Sequence, residues 1–258
     1  MPLRKLMAMT RKQWLWSLGA PVAGYLGYIV MMCLANDEWR RWIDSEQGPT
    51  ELGTAALFFL AGLTAAAIAW RAATMPLRYR SLFALGAAVL VFVALEEISY
   101  GQHLFGWSSP EYMLQYNYRQ ETNLHNLHDN ALSHLLRLVA NLLTPLVFIV
   151  PPLVLLRHGR DYRRGSFAWH FLPKQELIGV AAVAWFCTTP QKIIDMIGHG
   201  GRRWLGLGEL KELYWSIAAM GLMLLLYRRH MAPAEQATAT DAPAHSTSAS
   251  KPHSKRAA

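Results

Sequence analysis

Six long apolar runs, separated by short polar segments, constrain the fold of this chain more than any other feature of its sequence. Each run has about 20 residues or more, the length an α-helix needs to cross the hydrocarbon core of a bilayer. In lipid, a spanning backbone must satisfy its own hydrogen bonds, and a helix does so. The runs are Leu15–Ala35, Glu51–Trp70, Ser81–Leu95 with its continuation to His103, Asn130–Leu156, Glu176–Ile197 and Leu207–Tyr227. The sequence therefore predicts an all-α polytopic membrane bundle of about six transmembrane helices.

The composition fits a membrane protein and excludes several other classes. Of the 258 residues, 53% are hydrophobic and only 16% are charged, whereas soluble domains carry about 25% charged residues. The net charge of +8 comes from basic residues in short groups between the apolar runs, so we expect no nucleic-acid partner. The two cysteines, Cys33 and Cys187, lie in separate apolar runs, which argues against a disulfide framework or a thiolate metal site.

The distribution of Lys and Arg predicts the orientation in the membrane. Basic residues concentrate before the first run and after the second, fourth and sixth. The first outer loop has Arg40 and Arg41 against four acids, the second has only Arg119, and the third, with Arg202 and Arg203, departs from the pattern. By the positive-inside rule, we expect both termini to be cytoplasmic. The first run exceeds the apolar region of about 7–15 residues found in signal peptides, so we expect a retained helix. We assign residues 1–230 to a membrane domain and residues 231–258, rich in Ala, Pro, Ser and Thr, to a disordered cytoplasmic tail.

Acidic residues and histidines collect at the opposite, outer membrane face. Ionisable groups at the edge of an apolar span are costly and usually functional. Their convergence from distant parts of the sequence therefore predicts a site at that face. The predicted set is Glu46, Glu51, Glu96, Glu97, His103, Glu121, His125, His128, Asp129, Lys192, Asp195, His199, Glu209 and Glu212.

Helical spacing supports this prediction. Glu96, Tyr100 and His103 share one helix face if the third helix continues through Gly101. The group that precedes the fourth run has the same spacing, and its members are Glu121, His125, His128 and Asp129. Beyond Glu212 the last run gives only about 22 Å of helix. Since the hydrocarbon core is about 30 Å thick, we expect Glu212 to lie below the headgroups.

Each feature also has an ordinary explanation. Glu96 and Glu97 could pair with Arg202 or Arg203 as a structural ion pair between helices. The two histidines His125 and His128 could be interfacial residues without a ligand, because two histidines three positions apart are a weak metal signal. Glu209 and Glu212 suit a helix N-terminus. The loop aromatics Trp107, Tyr112, Tyr116 and Tyr118 are typical of an interfacial belt.

One pattern resembles a known family. Glu96-Glu97-Ile98-Ser99-Tyr100-Gly101-Gln102, followed by Glu121-Thr122-Asn123-Leu124-His125-Asn126, is similar to a family of uncharacterised bacterial polytopic membrane proteins. The resemblance implies that the chain is a multi-pass protein of the bacterial inner membrane. A looser likeness is to the membrane hydrolase superfamily of alkaline ceramidases and adiponectin receptors, in which histidines, an aspartate and a serine surround zinc. This chain differs from that superfamily in its six predicted spans instead of seven, and in having no His-x-x-x-His pair on its last helices.

Three functions follow as hypotheses. The first is a hydrolase or transferase that acts on a membrane lipid or a lipid-linked substrate at the outer leaflet. In it, His103, His125 and His128 hold zinc or another divalent metal, and the candidate catalytic carboxylates are Glu96, Glu97, Asp129 and Glu212. The second is a proton-coupled transporter, and the third is a non-catalytic assembly factor. The sequence does not indicate the oligomeric state.

Overall fold

A computed structural model describes residues 11–43, 45, 47–117, 119–124, 126–127, 131–158, 161–189 and 207–231. Within these residues the chain is helical and contains no strand, apart from an isolated antiparallel bridge between Asn117 and Leu127. The helices are α1 (Arg11–Trp14), α2 (Ala20–Leu34), α3 (Asp37–Ile43), α4 (Pro49–Arg71), α5 (Leu77–Glu97), α6 (Gln102–Phe105), α7 (Glu111–Tyr116), α8 (Ala131–Phe148), α9 (Val150–His158), α10 (Phe167–Phe171), α11 (Ile178–Phe186) and α12 (Leu207–Met231). A π-helical turn, Leu15–Gly19, joins α1 to α2. The predicted all-α class is confirmed.

Five segments of the described chain are long and apolar enough to cross a membrane: Leu15–Leu34, Pro49–Arg71, Leu77–Glu97, Leu138–His158 and Leu207–Met231. They coincide with five of the six predicted runs. The remaining run, Glu176–Ile197, contains the short apolar helix α11, and its residues from 190 onward lie outside the described residues. The fourth run is divided into α8 and α9, which are separated at Ile149.

The hairpin of α4 and α5 packs tightly because small residues line its contact. Ala61, Ala65 and Ala87 are buried. A side chain at Gly62 would bring its Cβ to 2.8 Å from the Val91 side chain, so the glycine allows the two helices to approach closely. Small residues at helix contacts are the usual means by which helices associate in lipid, where burial of apolar surface gives no driving force.

Helix α12 lies centrally, between this hairpin and the pair α2 and α11. On one side, Leu222 and Leu226 pack with the buried side chains of α4 and α5. On the other side, Tyr214 packs with Met32 of α2 and Ala184 of α11. The α11 helix approaches the π-helical turn so closely that a Cβ at Gly179 would lie 1.9 Å from the Ser17 carbonyl oxygen.

The helices run so that the bundle has two chemically different ends. Arg71 at the end of α4 donates to the Tyr227 hydroxyl of α12 over 3.0 Å, and Phe83 near the start of α5 contacts His230 of α12. The starts of α4 and α12 and the end of α5 therefore share the opposite end. We call it the carboxylate end, since it holds Glu51, Glu96, Glu97, Glu209 and Glu212; the other, basic end holds Arg71, Arg78, Arg80, Arg228 and Arg229.

Large apolar side chains cover much of the outside of the bundle. On α5 they form a row at helical spacing, with exposed fractions of 38–61%: Leu82, Leu85, Val89, Phe92 and Leu95. Helix α8 exposes a similar row. Contiguous apolar surface of this kind is unfavourable in water and suits the hydrocarbon of a bilayer.

Candidate functional site

The chain breaks its helix at the carboxylate end, directly after Glu97. Ser99, Tyr100 and Gly101 all adopt positive φ, at 48°, 54° and 82°. Positive φ strains the backbone of residues that have a side chain, and such strain persists mainly where surrounding contacts enforce it. The sequence prediction of one helix through Gly101 is therefore wrong, and Glu96, Tyr100 and His103 do not share a continuous helix face.

The break instead folds Tyr100 back onto Glu96. The Tyr100 hydroxyl donates to Glu96 Oε1 at 2.5 Å, while the backbone N–H of Leu124 donates to Glu96 Oε2 at 2.7 Å. Burial, and then the hydrogen bond to this carboxylate, raise the pKa of Tyr100, which keeps the phenol protonated as a donor. Glu96 is 6% exposed. It therefore fastens the returning segment, residues 119–124, to the end of α5.

A second buried carboxylate, Glu121, lies beside it. Its Oε2 atom accepts hydrogen bonds from Asn123 Nδ2 at 2.7 Å, from Ser99 Oγ at 3.2 Å and from Asn126 Nδ2 at 3.3 Å. Asn123 is itself held by Asn117, whose Nδ2 donates to the Asn123 backbone and side-chain oxygens. Glu121 is only 2% exposed, so its orientation is fixed by neutral donors.

His103 faces the other oxygen of this carboxylate. Its Nε2 atom lies 3.4 Å from Glu121 Oε1. This nitrogen is buried and has no hydrogen bond within the described residues, yet the His103 side chain as a whole is 31% exposed. The exposed surface of the side chain therefore belongs to its other atoms. A fixed carboxylate beside a partly exposed histidine is an arrangement that can orient an imidazole for proton transfer.

Gln102 joins the same framework from the neighbouring position on α6. Its amide oxygen accepts from the Thr122 backbone N–H at 2.9 Å and from Ser109 Oγ at 2.9 Å. Gln47, from the segment before α4, donates to the His103 carbonyl oxygen at 3.5 Å. These contacts hold α6, and His103 with it, between the start of α4 and residues 119–124.

The predicted site residues have different outcomes. Glu96, Glu97, Glu212 and His103 lie at the carboxylate end, where Glu97 is 8% exposed and Glu212 is half-buried on α12. The helical spacing proposed for Glu121 is wrong, because residues 121–124 and 126–127 are not helical. Other predicted members lie outside the described residues: Glu46, His125, His128, Asp129, Lys192, Asp195 and His199.

The metal prediction gains no support from the part of the chain that the structure describes. Within those residues no group of three His, Cys, Asp or Glu side chains is placed to hold a metal ion. Two of the three predicted ligands, His125 and His128, lie outside the described residues. Metal binding therefore stays a prediction.

Sequence reasoning passed over the polar framework of the site. Ser99, Asn117 and Asn123 are buried, at 0%, 4% and 0% exposure. Ser99, Gln102 and Asn123 stand inside the two stretches that carry the family resemblance, and this was the one sequence signal that pointed to them. Lys211 of α12 was also passed over; it donates to Asn141 Oδ1 at 2.7 Å and lies over the Trp215 ring at 4.5 Å.

One ion pair at the carboxylate end was not predicted, whereas the predicted pairing of Glu96 and Glu97 with Arg202 or Arg203 stays untested because both arginines lie outside the described residues. Glu209 pairs with Arg119 at 2.8 Å, which ties residues 119–124 to α12 as well as to α5. Glu209 therefore has an ion-pair partner in addition to the favourable interaction of its carboxylate with the N-terminus of α12.

Comparison of the chain with protein-family models, with curated proteins and with solved structures gives no match.

Proposed function

We propose that this protein is an integral membrane hydrolase or transferase whose His103–Glu121 pair acts as the general base on a lipid-linked substrate. The observation that carries the proposal is the approach of His103 Nε2 to the buried Glu121 carboxylate at 3.4 Å. The five membrane-length apolar helices support the membrane location.

In this proposal a small rotation of the His103 ring brings Nε2–H, now 3.4 Å from Glu121 Oε1, into a hydrogen bond with that carboxylate, which then sets the tautomer. A neutral imidazole that directs its Nε2–H toward the carboxylate leaves the lone pair of Nδ1 available. Nδ1 then takes the proton from water, for a hydrolase, or from an acceptor hydroxyl, for a transferase, as that oxygen bonds to the substrate. The same proton passes to the leaving group when its bond breaks. The Glu121 carboxylate stabilises the imidazolium that exists between the two transfers.

Oxygen-18 tracing tests this proposal with total bacterial lipid as the source of substrate. Purified protein in vesicles of that lipid, incubated in ¹⁸O-water, is expected to yield ¹⁸O-labelled lipid or headgroup products by mass spectrometry; a transferase gives new lipid species instead. His103→Ala and Glu121→Gln are expected to lower the product rate at least 100-fold, since a general base contributes about 10²–10⁴. Glu111→Gln, at an exposed position on α7, is the matched control. A His103→Ala protein that is folded and as active as the parent contradicts the proposal.

The metal belongs to this proposal as a separate arm. If zinc or a similar ion were bound by His103, His125 and His128, it would occupy the Nδ1 lone pair of His103, and the ion would then replace that histidine as the group that polarises the substrate or a water molecule. Elemental analysis of the detergent-purified parent beside a His125→Ala, His128→Ala double variant distinguishes the metal from the general base. The metal alternative predicts near-stoichiometric metal in the parent alone, and weaker binding as pH falls through about 6.5, because ligand imidazoles must be neutral. Sub-stoichiometric metal in both, with equal stability, excludes the metal.

A non-catalytic role is the second candidate, and one observation favours it. Both oxygens of Glu96 and the Oε2 of Glu121 accept hydrogen bonds from the chain itself, as expected of a polar lock between helices. In that case Glu121→Gln lowers stability, while His103→Ala changes neither stability nor any lipid product. The two variants therefore separate the candidates.

A further inference from the structure

The lipid-facing side of α5 reaches the carboxylate end. Leu82, Leu85, Val89, Phe92 and Leu95 form its exposed row. At about 1.5 Å per residue, the 21 residues of α5 span about 32 Å, which matches the hydrocarbon thickness of about 30 Å. The end of α5 at Glu97 therefore lies at the boundary between hydrocarbon and headgroups.

The apolar row continues across the helix break onto α6. The Phe92 ring contacts the Tyr100 ring edge-on, with centroids 6.4 Å apart. The Phe105 ring then covers Gly101 so closely that a Cβ there would lie 2.8 Å from it. Leu104 and Phe105 expose 61% and 81% of their surface. One apolar surface thus runs from α5 through Tyr100 to Phe105.

His103 stands at the border of this surface. It precedes Leu104 on α6, its Nε2 atom faces Glu121 inside the polar framework, and its side chain is 31% exposed. The exposed part of His103 therefore adjoins the apolar surface where that surface ends. A water-soluble substrate gains nothing from two exposed apolar side chains beside the reacting group, whereas an amphiphile with its tail in the bilayer contacts them with its first methylenes.

We propose that Leu104 and Phe105 insert into the leaflet at the carboxylate end, and that an amphiphilic membrane lipid reaches the His103–Glu121 site laterally along them. The lateral approach of a substrate to His103 rests on the proposed function, whereas the insertion of Leu104 and Phe105 is independent of it. The occupant of the surface is an acyl chain, since the surface continues the lipid-facing row of α5.

Spin labelling tests the insertion. In a Cys33→Ser, Cys187→Ala background, single cysteines at 104, 105, 85 and 111 carry nitroxides in phosphatidylethanolamine and phosphatidylglycerol vesicles. Collision with oxygen, which is concentrated in lipid, is compared with collision with a water-soluble nickel chelate. We expect labels at 104 and 105 to collide several-fold more with oxygen than with the nickel chelate. Their ratio of oxygen to nickel collisions is expected to lie between the ratio at Leu85 and the ratio at the exposed Glu111. A ratio equal to that at Glu111 overturns the inference.

The unsubstituted protein supplies a second measurement. A phospholipid with a diazirine near the start of its acyl chain is activated by light, and the modified peptides are identified by mass spectrometry. We expect modification within residues 102–105 in addition to the row on α5. Modification of the α5 row alone counts against lateral access.

The two proposals fail differently. If the labels are in lipid but His103→Ala leaves the ¹⁸O products unchanged, the catalytic proposal is wrong and the insertion stands. If the ¹⁸O products depend on His103 but the labels are in water, the enzyme stands and its substrate does not approach along this surface.

Discussion

At the residue scale, the carboxylate end depends on side chains that hold one another in conformations the local sequence does not favour. Ser99 and Tyr100 adopt positive φ, which costs about 1–3 kcal/mol at each such residue. Hydrogen bonds to the buried carboxylates Glu96 and Glu121 offset that cost. Because hydrogen bonds to charged groups contribute about 1.5–3 kcal/mol each, the balance favours the turn only while the carboxylates keep their donors.

Tyr100→Phe tests this balance. The variant keeps the ring against Phe92 and removes the donor to Glu96. We expect the free energy of unfolding to fall by about 1.5–3 kcal/mol, measured by denaturant titration in detergent. Tyr112→Phe, at a side chain that is 61% exposed, is the control and should change stability by less than about 0.5 kcal/mol. Equal stability of the two variants would show that the contact with Glu96 does not stabilise the fold.

A second prediction at this scale concerns His170 at the basic end. This residue is 5% exposed and packs on the Tyr79 ring, with centroids 4.5 Å apart, and on His230, at 5.1 Å. Burial, and then the guanidinium groups of Arg229 and Arg78, lower the pKa of His170 below its ordinary 6.5. The unfolded chain therefore takes up a proton at a higher pH than the folded chain does. The stability that the folded protein gains by holding His170 neutral is fully present above about pH 6.5 and is lost as pH falls through the lowered pKa of His170.

His170→Phe retains an aromatic ring at this position and removes the titration. We expect the melting temperature of the parent to fall more between pH 7.5 and pH 5 than that of the variant, by scanning fluorimetry in detergent. An identical fall in both proteins would assign the pH dependence to other groups.

At the element scale, the sequence predicted the helices better than the connections. Length and lack of charge suffice to locate an apolar run such as Pro49–Arg71, because a membrane helix satisfies its hydrogen bonds within itself. The break after Glu97 was not predictable in this way. It depends on Glu96, Glu121 and Asn123, which contact the turn from positions up to 24 residues away, and no local pattern encodes such pairings. The site was therefore predicted as a face of the bundle, but not as the His103–Glu121 pair.

Close approach of elements also rests on single glycines. A Cβ at Gly179 would lie 1.9 Å from the Ser17 carbonyl oxygen and 2.8 Å from Leu18 Cα, both backbone atoms that cannot rotate away. We expect Gly179→Ala to lower the free energy of unfolding by about 1–3 kcal/mol, as overpacking does. The matched control is Gly27→Ala on α2, where a Cβ would meet no atom within 4 Å. If Gly179→Ala is as stable as Gly27→Ala, α11 does not pack this closely on the turn before α2.

At the scale of the whole molecule, the charges give the bundle a direction. Carboxylates and the His103–Glu121 pair occupy one end, while arginines of α4, α5 and α12 occupy the other. By the rule that relates basic segments to the cytoplasmic side, we expect the basic end to be the inner end. The proposed function depends on this orientation, because it determines from which leaflet a lipid reaches His103.

Reporter fusions measure the orientation directly. Alkaline phosphatase is active only outside the cytoplasm. Green fluorescent protein fluoresces only inside the cytoplasm, because it does not fold into its fluorescent form after export through the general secretory route. We expect fusions after Arg160 and in the C-terminal tail to fluoresce, and a fusion near Glu111 to show phosphatase activity. The basic segments Arg71–Arg80 and Arg157–Lys174 motivate this expectation, since translocating several arginines across the membrane is unfavourable. Phosphatase activity in the tail together with fluorescence near Glu111 would invert the bundle. The His103–Glu121 pair would then face the cytoplasm, and the lipid proposed as its substrate would come from the inner leaflet.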